Sequence, residues 1–203
     1  MHKGVLFLML NLLCCSVFAQ QDTVYPAGCY MSIEELQTKA PGKHCKLQVS
    51  IKKAGNFMGF ESNVYAISSA NDCLSKKELR SDMFAYSDGQ NLYLNGNKHD
   101  LQGAYVSIIL RGANFMAFRG ARTSGEAFAT LLMGNGSVEN SEAGKRYLYV
   151  MDMKTGKSGY ASAGYLLSIL APWPDLQKQY EAETNKEAEE TVLKYINLCN
   201  QTK

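Results

Sequence analysis

Alternating apolar and polar positions dominate the middle of the chain and predict antiparallel β-strands joined by short turns. The clearest turn is Asp88-Gly89, which separates two such runs and suits the positive φ of a hairpin turn. Other turns are expected at 54–55, 112–113 and 154–156. The strands predicted around these turns are 45–53, 56–60, 83–87, 91–95, 105–111, 114–119, 147–152 and 158–162, with 127–133 as a further candidate.

Two of the predicted hairpins have similar sequences and suggest an internal duplication. Val-Ser-Ile at 49–51 precedes Asn-Phe-Met-Gly-Phe at 56–60, and Val-Ser-Ile at 106–108 precedes Asn-Phe-Met-Ala-Phe at 114–118. Each hairpin is followed by a second one, so the chain would contain two four-strand units. Chance similarity between hairpins is the alternative explanation. Eight antiparallel strands are enough for a barrel or a sandwich.

A short helix is predicted before the strands. Ser32 and Glu35 have the spacing of a capping box, in which each side chain bonds a backbone amide of the first turn. Pro41-Gly42 ends this helix, which is expected over 33–39.

Further helices are predicted after the strands. Ser162 is expected to cap a helix over 163–170, and Pro174 suits the first turn of the next one. Thr184 or Asn185 is expected to cap the last helix. Its apolar stripe at helical spacing, expected to pack on the sheet, comprises Ala188, Val192, Tyr195, Ile196 and Cys199.

Together these elements predict an α+β fold that is mainly antiparallel β, with a short N-terminal helix and C-terminal helices. The sheet is expected to be barrel- or sandwich-like, with duplication of a four-strand unit as an option. We expect residues 20–203 to form a single β-rich domain with a helical C-terminal segment at 162–200.

Residues 1–19 have the pattern of a secretory signal peptide. Lys3 gives a positive start, and a nearly continuous apolar run over 5–17 follows. Small residues precede the expected cleavage between Ala19 and Gln20. The apolar run is shorter than the roughly 20 residues that span a bilayer. Lipidation at Cys14 or Cys15 is the alternative, but neither follows a small residue.

Charge and hydropathy limit the function classes. The formal net charge is +2 and no block of Lys or Arg occurs, so nucleic-acid binding is not expected. Residues after 19 lack a second long apolar run, so no transmembrane segment is predicted for the mature chain.

Four cysteines lie outside the predicted signal peptide: Cys29, Cys45, Cys73 and Cys199. In an oxidising compartment they can form two disulfides in three pairings. The alternative is that some remain buried thiols. The Cys-x-x-Cys spacing of redox or zinc sites does not occur.

Several motifs resemble an uncharacterised family of exported proteins of Bacteroidetes bacteria. Residues 25–36 read Tyr-Pro-Ala-Gly-Cys-Tyr-Met-Ser-Ile-Glu-Glu-Leu and are followed by Pro41. The Asp-Gly hairpin at 84–93, the segment 149–157 and Pro-Asp-Leu at 174–176 follow in the same order as in that family. The resemblance implies a Gram-negative envelope location, periplasmic or secreted, and supplies no catalytic residues.

One modification site follows from the same resemblance. Asp22-Thr23-Val24 is similar to the Asp-Thr-aliphatic acceptor of O-glycosylation in such bacteria, which makes Thr23 a candidate glycan site.

Candidate chemistry is sparse. No catalytic, cofactor-binding or metal-ligating residue and no cofactor is predicted. Outside the signal the only imidazoles are His44 and His99, and either would need a nearby carboxylate to support an enzyme. Gly156-Lys157-Ser158 lacks the leading glycine and the strand-to-helix context of a phosphate loop.

Tyrosines on the predicted hairpins form a candidate binding face for a glycan or protein partner: Tyr86, Tyr93, Tyr149 and Tyr160. Packing within half-buried strands is the alternative. The sequence therefore favours an exported, non-catalytic envelope protein that binds a ligand or partner. An envelope hydrolase with a dispersed active site and a structural or stress-related envelope component are the alternatives.

Overall fold

The computed structural model describes residues 24–51, 64–69, 72–99, 101, 105–121 and 146–202. Within these residues, nine strands form one antiparallel sheet. They are β1 Gly28–Tyr30, β2 Leu47–Ile51, β3 Val64–Ser69, β4 Ala85–Ser87, β5 Leu92–Asn95, β6 Tyr105–Leu110, β7 Phe115–Ala121, β8 Arg146–Asp152 and β9 Ser158–Tyr160. The predicted strand at 127–133 and the turn at 54–55 lie outside the described residues.

One helix follows β1 and three follow β9 in the described residues, so the predicted first helix lies after a strand and not before all of them. The helices are α1 Ile33–Thr38, α2 Ala163–Leu170, α3 Pro174–Glu181 and α4 Glu189–Gln201. A π-helical segment, Glu78–Asp82, and a 3-10 turn, Gly96–Lys98, lie between strands. The α+β, mainly antiparallel fold class is confirmed.

The sheet is organised around β6. The strand order is β1-β4-β5-β6-β7-β8-β9, with β3 also paired to β6 and β2 paired to β3. Tyr105 and Val106 in the first half of β6 pair with both β3 and β5. Ile108 and Leu110 in the second half pair with β7. The sheet does not close into a barrel, so that option is wrong.

The internal duplication stays a prediction, because one strand of the first predicted unit, 56–60, lies outside the described residues. In the second predicted unit β6, β7, β8 and β9 pair consecutively. In the first unit β4 pairs with β5, as β8 pairs with β9 in the second. The structure adds β1 and β3, two strands that the pattern does not predict, and β3 pairs with both β2 and β6.

The local sequence signals set the ends of several elements. The amide of Glu35 donates to Ser32 Oγ at 3.3 Å, and Glu35 Oε2 accepts from the Met31 amide at 2.6 Å. Gly89 has the positive φ expected of the hairpin turn, at 95°. Ser162 Oγ accepts from the Tyr165 amide at 3.2 Å and caps α2.

Strands β7 and β8 are buried on both faces because their side chains alternate between two cores. Met151 and Phe118 lie in a core with α1 and β5. Val150 and Phe115 lie in a second core with the C-terminal helices. The stripe predicted on α4 faces this second core, where Val192, Tyr195, Ile196 and Cys199 are at most 1% exposed.

The N-terminus of α4 differs from the predicted one. The helix begins at Glu189 after Ala188, so neither Thr184 nor Asn185 is its cap. Glu189 instead forms an ion pair with Arg119 on β7, which fixes the first turn of α4 to the sheet. The acidic side chains of the first turn still interact favourably with the positive, N-terminal end of the helix dipole.

The other end of α4 is held by Asn200, whose side chain bonds the backbone where β7 begins. Its Oδ1 accepts from the amides of Asn114 at 3.0 Å and Phe115 at 2.8 Å, and its Nδ2 donates to the Phe115 carbonyl at 3.0 Å. One side chain thus satisfies three backbone groups.

We expect Asn200→Ala to lower the free energy of unfolding by about 2 kcal/mol, because backbone groups lose their partners. Urea denaturation of the purified chain measures this loss. Gln201→Ala, one residue along the same helix and exposed, is the matched control and should change stability little. Equal stability of the two variants would contradict this role of Asn200.

Candidate functional site

A groove of about 700 Å³ lies along β3, within the range of small-ligand and peptide sites. One side is formed by five consecutive residues, 65–69. A second part of the lining comes from the segment 72–80, called here the groove wall, which contributes Asp72, Leu74, Ser75, Lys76, Glu78, Leu79 and Arg80. Asn97 and Tyr105 complete the lining.

A disulfide fixes the start of the groove wall. Cys73 is bonded to Cys45, which precedes β2, with a Cα–Cα distance of 6.0 Å and 28 residues between them in sequence. The other two predicted disulfide candidates, Cys29 and Cys199, are buried thiols. Burial raises the pKa of Cys199 to about 11 and also raises the pKa of Cys29. The four candidate cysteines thus form one disulfide, Cys45–Cys73, and not two.

An ion pair fixes the middle of the groove wall. Lys43 Nζ lies 2.5 Å from Glu78 Oε1. Glu78 Oε2 accepts from both the amide and the hydroxyl of Ser75 at 2.8 Å. The hydrogen bond from Lys43, supported by those from Ser75, lowers the pKa of Glu78 to about 2. Glu78 is therefore ionised at neutral pH, and its carboxylate is occupied by hydrogen bonds to Lys43 and Ser75.

Side chains from the sheet fix the end of the groove wall. The π-helical turn there leaves carbonyls beyond its last helical bond, and these need other partners. Asn95 Nδ2 donates to the carbonyls of Arg80 at 3.1 Å and Met83 at 2.8 Å. The Tyr105 hydroxyl donates to the Leu79 carbonyl, and burial raises its pKa. The wall is thus attached to β5 and β6.

The charges at the groove mouth are unequal. Lys76 and Arg80 are four residues apart, line the groove and are exposed. Among the described residues neither has an ion-pair partner. In the described ranges Asp72 has no ion-pair partner either, whereas the other carboxylate of the lining, Glu78, is bonded to Lys43. Counted over those residues, the groove has two available cations and one available anion.

The four tyrosines singled out from sequence do not share one exposed surface. Tyr86, Tyr93 and Tyr149 are 3%, 6% and 7% exposed, and Tyr160 is 39% exposed. The rings of Tyr86 and Tyr93 stack at 6.4 Å on β4 and β5, whereas Tyr149 contacts Tyr160 across β8 and β9. Three of them therefore belong to the packed core.

Two other tyrosines, Tyr65 and Tyr105, line the groove. Sequence reasoning missed Tyr65 because its strand runs into Ser68 and Ser69, which are typical of a loop. The signal that was available is the β-branched and aromatic run at 64–67.

Neither His44 nor His99 lines the groove. His44 is exposed, and His99 is 4% exposed between the rings of Phe84 and Phe118. His99 Nδ1 lies 3.0 Å from Ser158 Oγ, which brings together a hydroxyl and a base. His99 is buried, whereas Ser158 is half-buried. In the described part of the chain, no group of three His, Cys, Asp or Glu side chains is placed to hold a metal ion.

The remaining site candidates, Ala19, Gln20 and Thr23, lie outside the described residues. No helix in the described ranges has the length and apolar character needed to cross a membrane.

Comparison with known families shows that residues 28–203 match a family described as "Family of unknown function (DUF6563)". Neither the curated proteins nor the solved structures include a match to this chain.

We expect the double variant Cys45→Ala, Cys73→Ala to lose about 3 kcal/mol of unfolding free energy, because the disulfide restricts the unfolded chain. Urea denaturation measures the loss, and a reductant should destabilise the wild type while leaving the variant unchanged. Peptide mapping without reduction should recover the Cys45–Cys73 link. Recovery of Cys29 or Cys199 in a disulfide instead would contradict the pairing.

Proposed function

We propose that this chain, which belongs to the DUF6563 family of unknown function, is an exported, non-catalytic envelope protein that binds a partner or ligand in the groove beside β3. The observation that carries the proposal is the attachment of the groove wall at its start, middle and end. The disulfide, the Lys43–Glu78 pair and the bonds from Asn95 and Tyr105 make these attachments.

Rigid walls favour binding because little conformational entropy is lost when an occupant arrives. Burying an asparagine side chain costs desolvation free energy, and an ordinary surface loop does not need such a residue to hold its carbonyls. Asn95 is 1% exposed and serves the wall in this way.

The lining suits an occupant with both apolar and acidic groups. Ile67, Leu79 and Tyr65 are half-buried and give apolar contact along the groove. Lys76 and Arg80 offer charge at its mouth. Among the described lining residues there is no histidine or cysteine, which supports binding in preference to nucleophilic catalysis.

Export is supported by two independent features. The Cys45–Cys73 disulfide is typical of oxidising compartments. Residues 1–19 have the pattern of a secretory signal. The resemblance of the motifs to exported Bacteroidetes proteins favours the envelope of a Gram-negative bacterium, and Thr23 becomes a candidate glycan site there.

We expect the protein from its own envelope fraction to have the intact mass of residues 20–203 with two fewer hydrogens for each disulfide. Mass spectrometry of the denatured protein measures this, and excess mass on the peptide with Thr23 reports a glycan. A Thr23→Ala variant should lose only that excess. An N-terminus at Met1 in the envelope fraction would contradict export by cleavage.

We expect a photoreactive side chain at Ala66, which is exposed in the groove, to cross-link a component of the source envelope. The control carries the same group at Lys178 on α3, which is also exposed but distant in sequence from the wall. Gel shift and mass spectrometry identify the adducts. Adducts that are absent at Ala66, or equal at both positions, would contradict binding in the groove.

A further inference from the structure

We propose, on the basis of the binding function above, that the occupant is an extended acidic peptide segment that joins the sheet as a strand beside residues 66–69 of β3, with an acidic side chain at Lys76 and Arg80.

The lining of the groove shows that it follows the edge of β3. Successive side chains of a strand point to opposite faces, so a pocket on one face would contact every second residue. This groove contacts all five residues of 65–69. We infer that it runs along the backbone edge of the strand, where amide and carbonyl groups lie.

The pairing of β3 agrees with an available edge. On one side β2 pairs with β3 continuously from Tyr65 to Ser69. On the other side, among the described residues, the pairing with β6 covers Val64 and Tyr65. Within the described residues, the second edge of 66–69 thus has no paired strand, and these four residues line the groove. Such an edge is a template for an added strand.

The two faces of this edge predict the sequence pattern of the peptide. Ile67 shares a face with Tyr65, and both pack in the core that includes Leu79. Ala66 and Ser68 on the other face are exposed. An added strand would therefore place alternate apolar side chains against Ile67 and Leu79, and polar ones towards solvent. About four or five residues match the length of this edge.

Charge selects an acidic peptide. Lys76 and Arg80 stand on the groove wall without ion-pair partners in the described residues, and both are exposed. A peptide carboxylate placed between them would be attracted by both positive charges, and the guanidinium of Arg80 can donate two hydrogen bonds to it. A basic peptide would instead meet like charges, with Asp72 as its one available partner.

A glycan is the other occupant considered, and the tyrosines argue against it. Sugar binding uses open aromatic faces, but the Tyr105 hydroxyl is bonded to Leu79 and its side chain is 6% exposed. The ring of Tyr65 is packed edge-on against Tyr93 with centroids 4.9 Å apart. Tyr105 therefore offers no free platform, and Tyr65 is already in contact with another ring.

The test uses a random twelve-residue peptide library selected against the mature chain, followed by synthesis of one binder with each backbone nitrogen methylated in turn. We expect binders to alternate apolar and polar residues and to contain Asp or Glu. N-methylation should weaken binding about tenfold or more at every second position and little between them, because an antiparallel strand directs alternate amides to its neighbour.

Charge-reversed variants test the acidic end. We expect Lys76→Glu and Arg80→Glu each to weaken the acidic peptide about threefold to tenfold at low salt. Lys178→Glu on α3, also an exposed lysine, is the matched control and should not change binding. Unfolding curves of all three variants check that the fold is kept.

The two proposals fail in different ways. A library that yields no binder, or a binder that tolerates methylation at every position, overturns strand addition. If the group at Ala66 still cross-links an envelope component, the groove remains a binding site and its occupant is not an added strand. If no component cross-links at Ala66, the binding function itself is wrong. A glycan recovered in that adduct would replace the peptide as occupant.

Discussion

Strand β6 is the constraint on which the rest of the structure depends, because it carries hydrogen bonds to three strands. Its first half lies between β3 and β5, and its second half pairs with β7. The sheet therefore consists of two parts that meet in one strand. The part containing β7 and β8 is covered on both faces. Residues of β2 and β3 instead pack in a third core with tyrosines of β4 and β5. Since Tyr105 begins β6 and also bonds the groove wall, the shape of the groove follows directly from this junction.

The groove wall shows how a segment without regular α- or β-structure can be held in one conformation. A single π-helical turn makes fewer backbone hydrogen bonds within itself than an α-helix of several turns does. Its remaining amides and carbonyls therefore need partners from elsewhere in the chain. Here Asn95 at the end of β5, Asn97 in the 3-10 turn after it, Tyr105 from β6 and Lys43 from the chain before β2 all contribute. These partners come from distant parts of the sequence. The wall and the sheet are therefore expected to form together.

The sequence predicted what local chemistry controls and missed what distant contacts control. Ser32, Asp88-Gly89 and Ser162 set the ends of their elements through bonds to neighbouring residues, and the structure contains these bonds. The cap of α4 was mispredicted because Glu189 meets Arg119, a residue far away in sequence. The groove could not be located for the same reason. Its two sides become neighbours through the Cys45–Cys73 bond, the Lys43–Glu78 pair and the order of the strands, none of which is encoded in a local pattern.

The tyrosines illustrate why composition alone is a weak guide to a binding surface. An aromatic residue on a strand fits a packed core as well as a contact surface, and the alternation of the strand decides between these places. Tyr86 and Tyr93 point to the same side of adjacent strands and stack, so their area is buried within the chain. Tyr65 lies at the end of that aromatic cluster and reaches the groove. Tyr65 thereby links the buried aromatic residues to the lining of the groove. A ligand at β3 would extend a packed aromatic layer instead of resting on an isolated side chain.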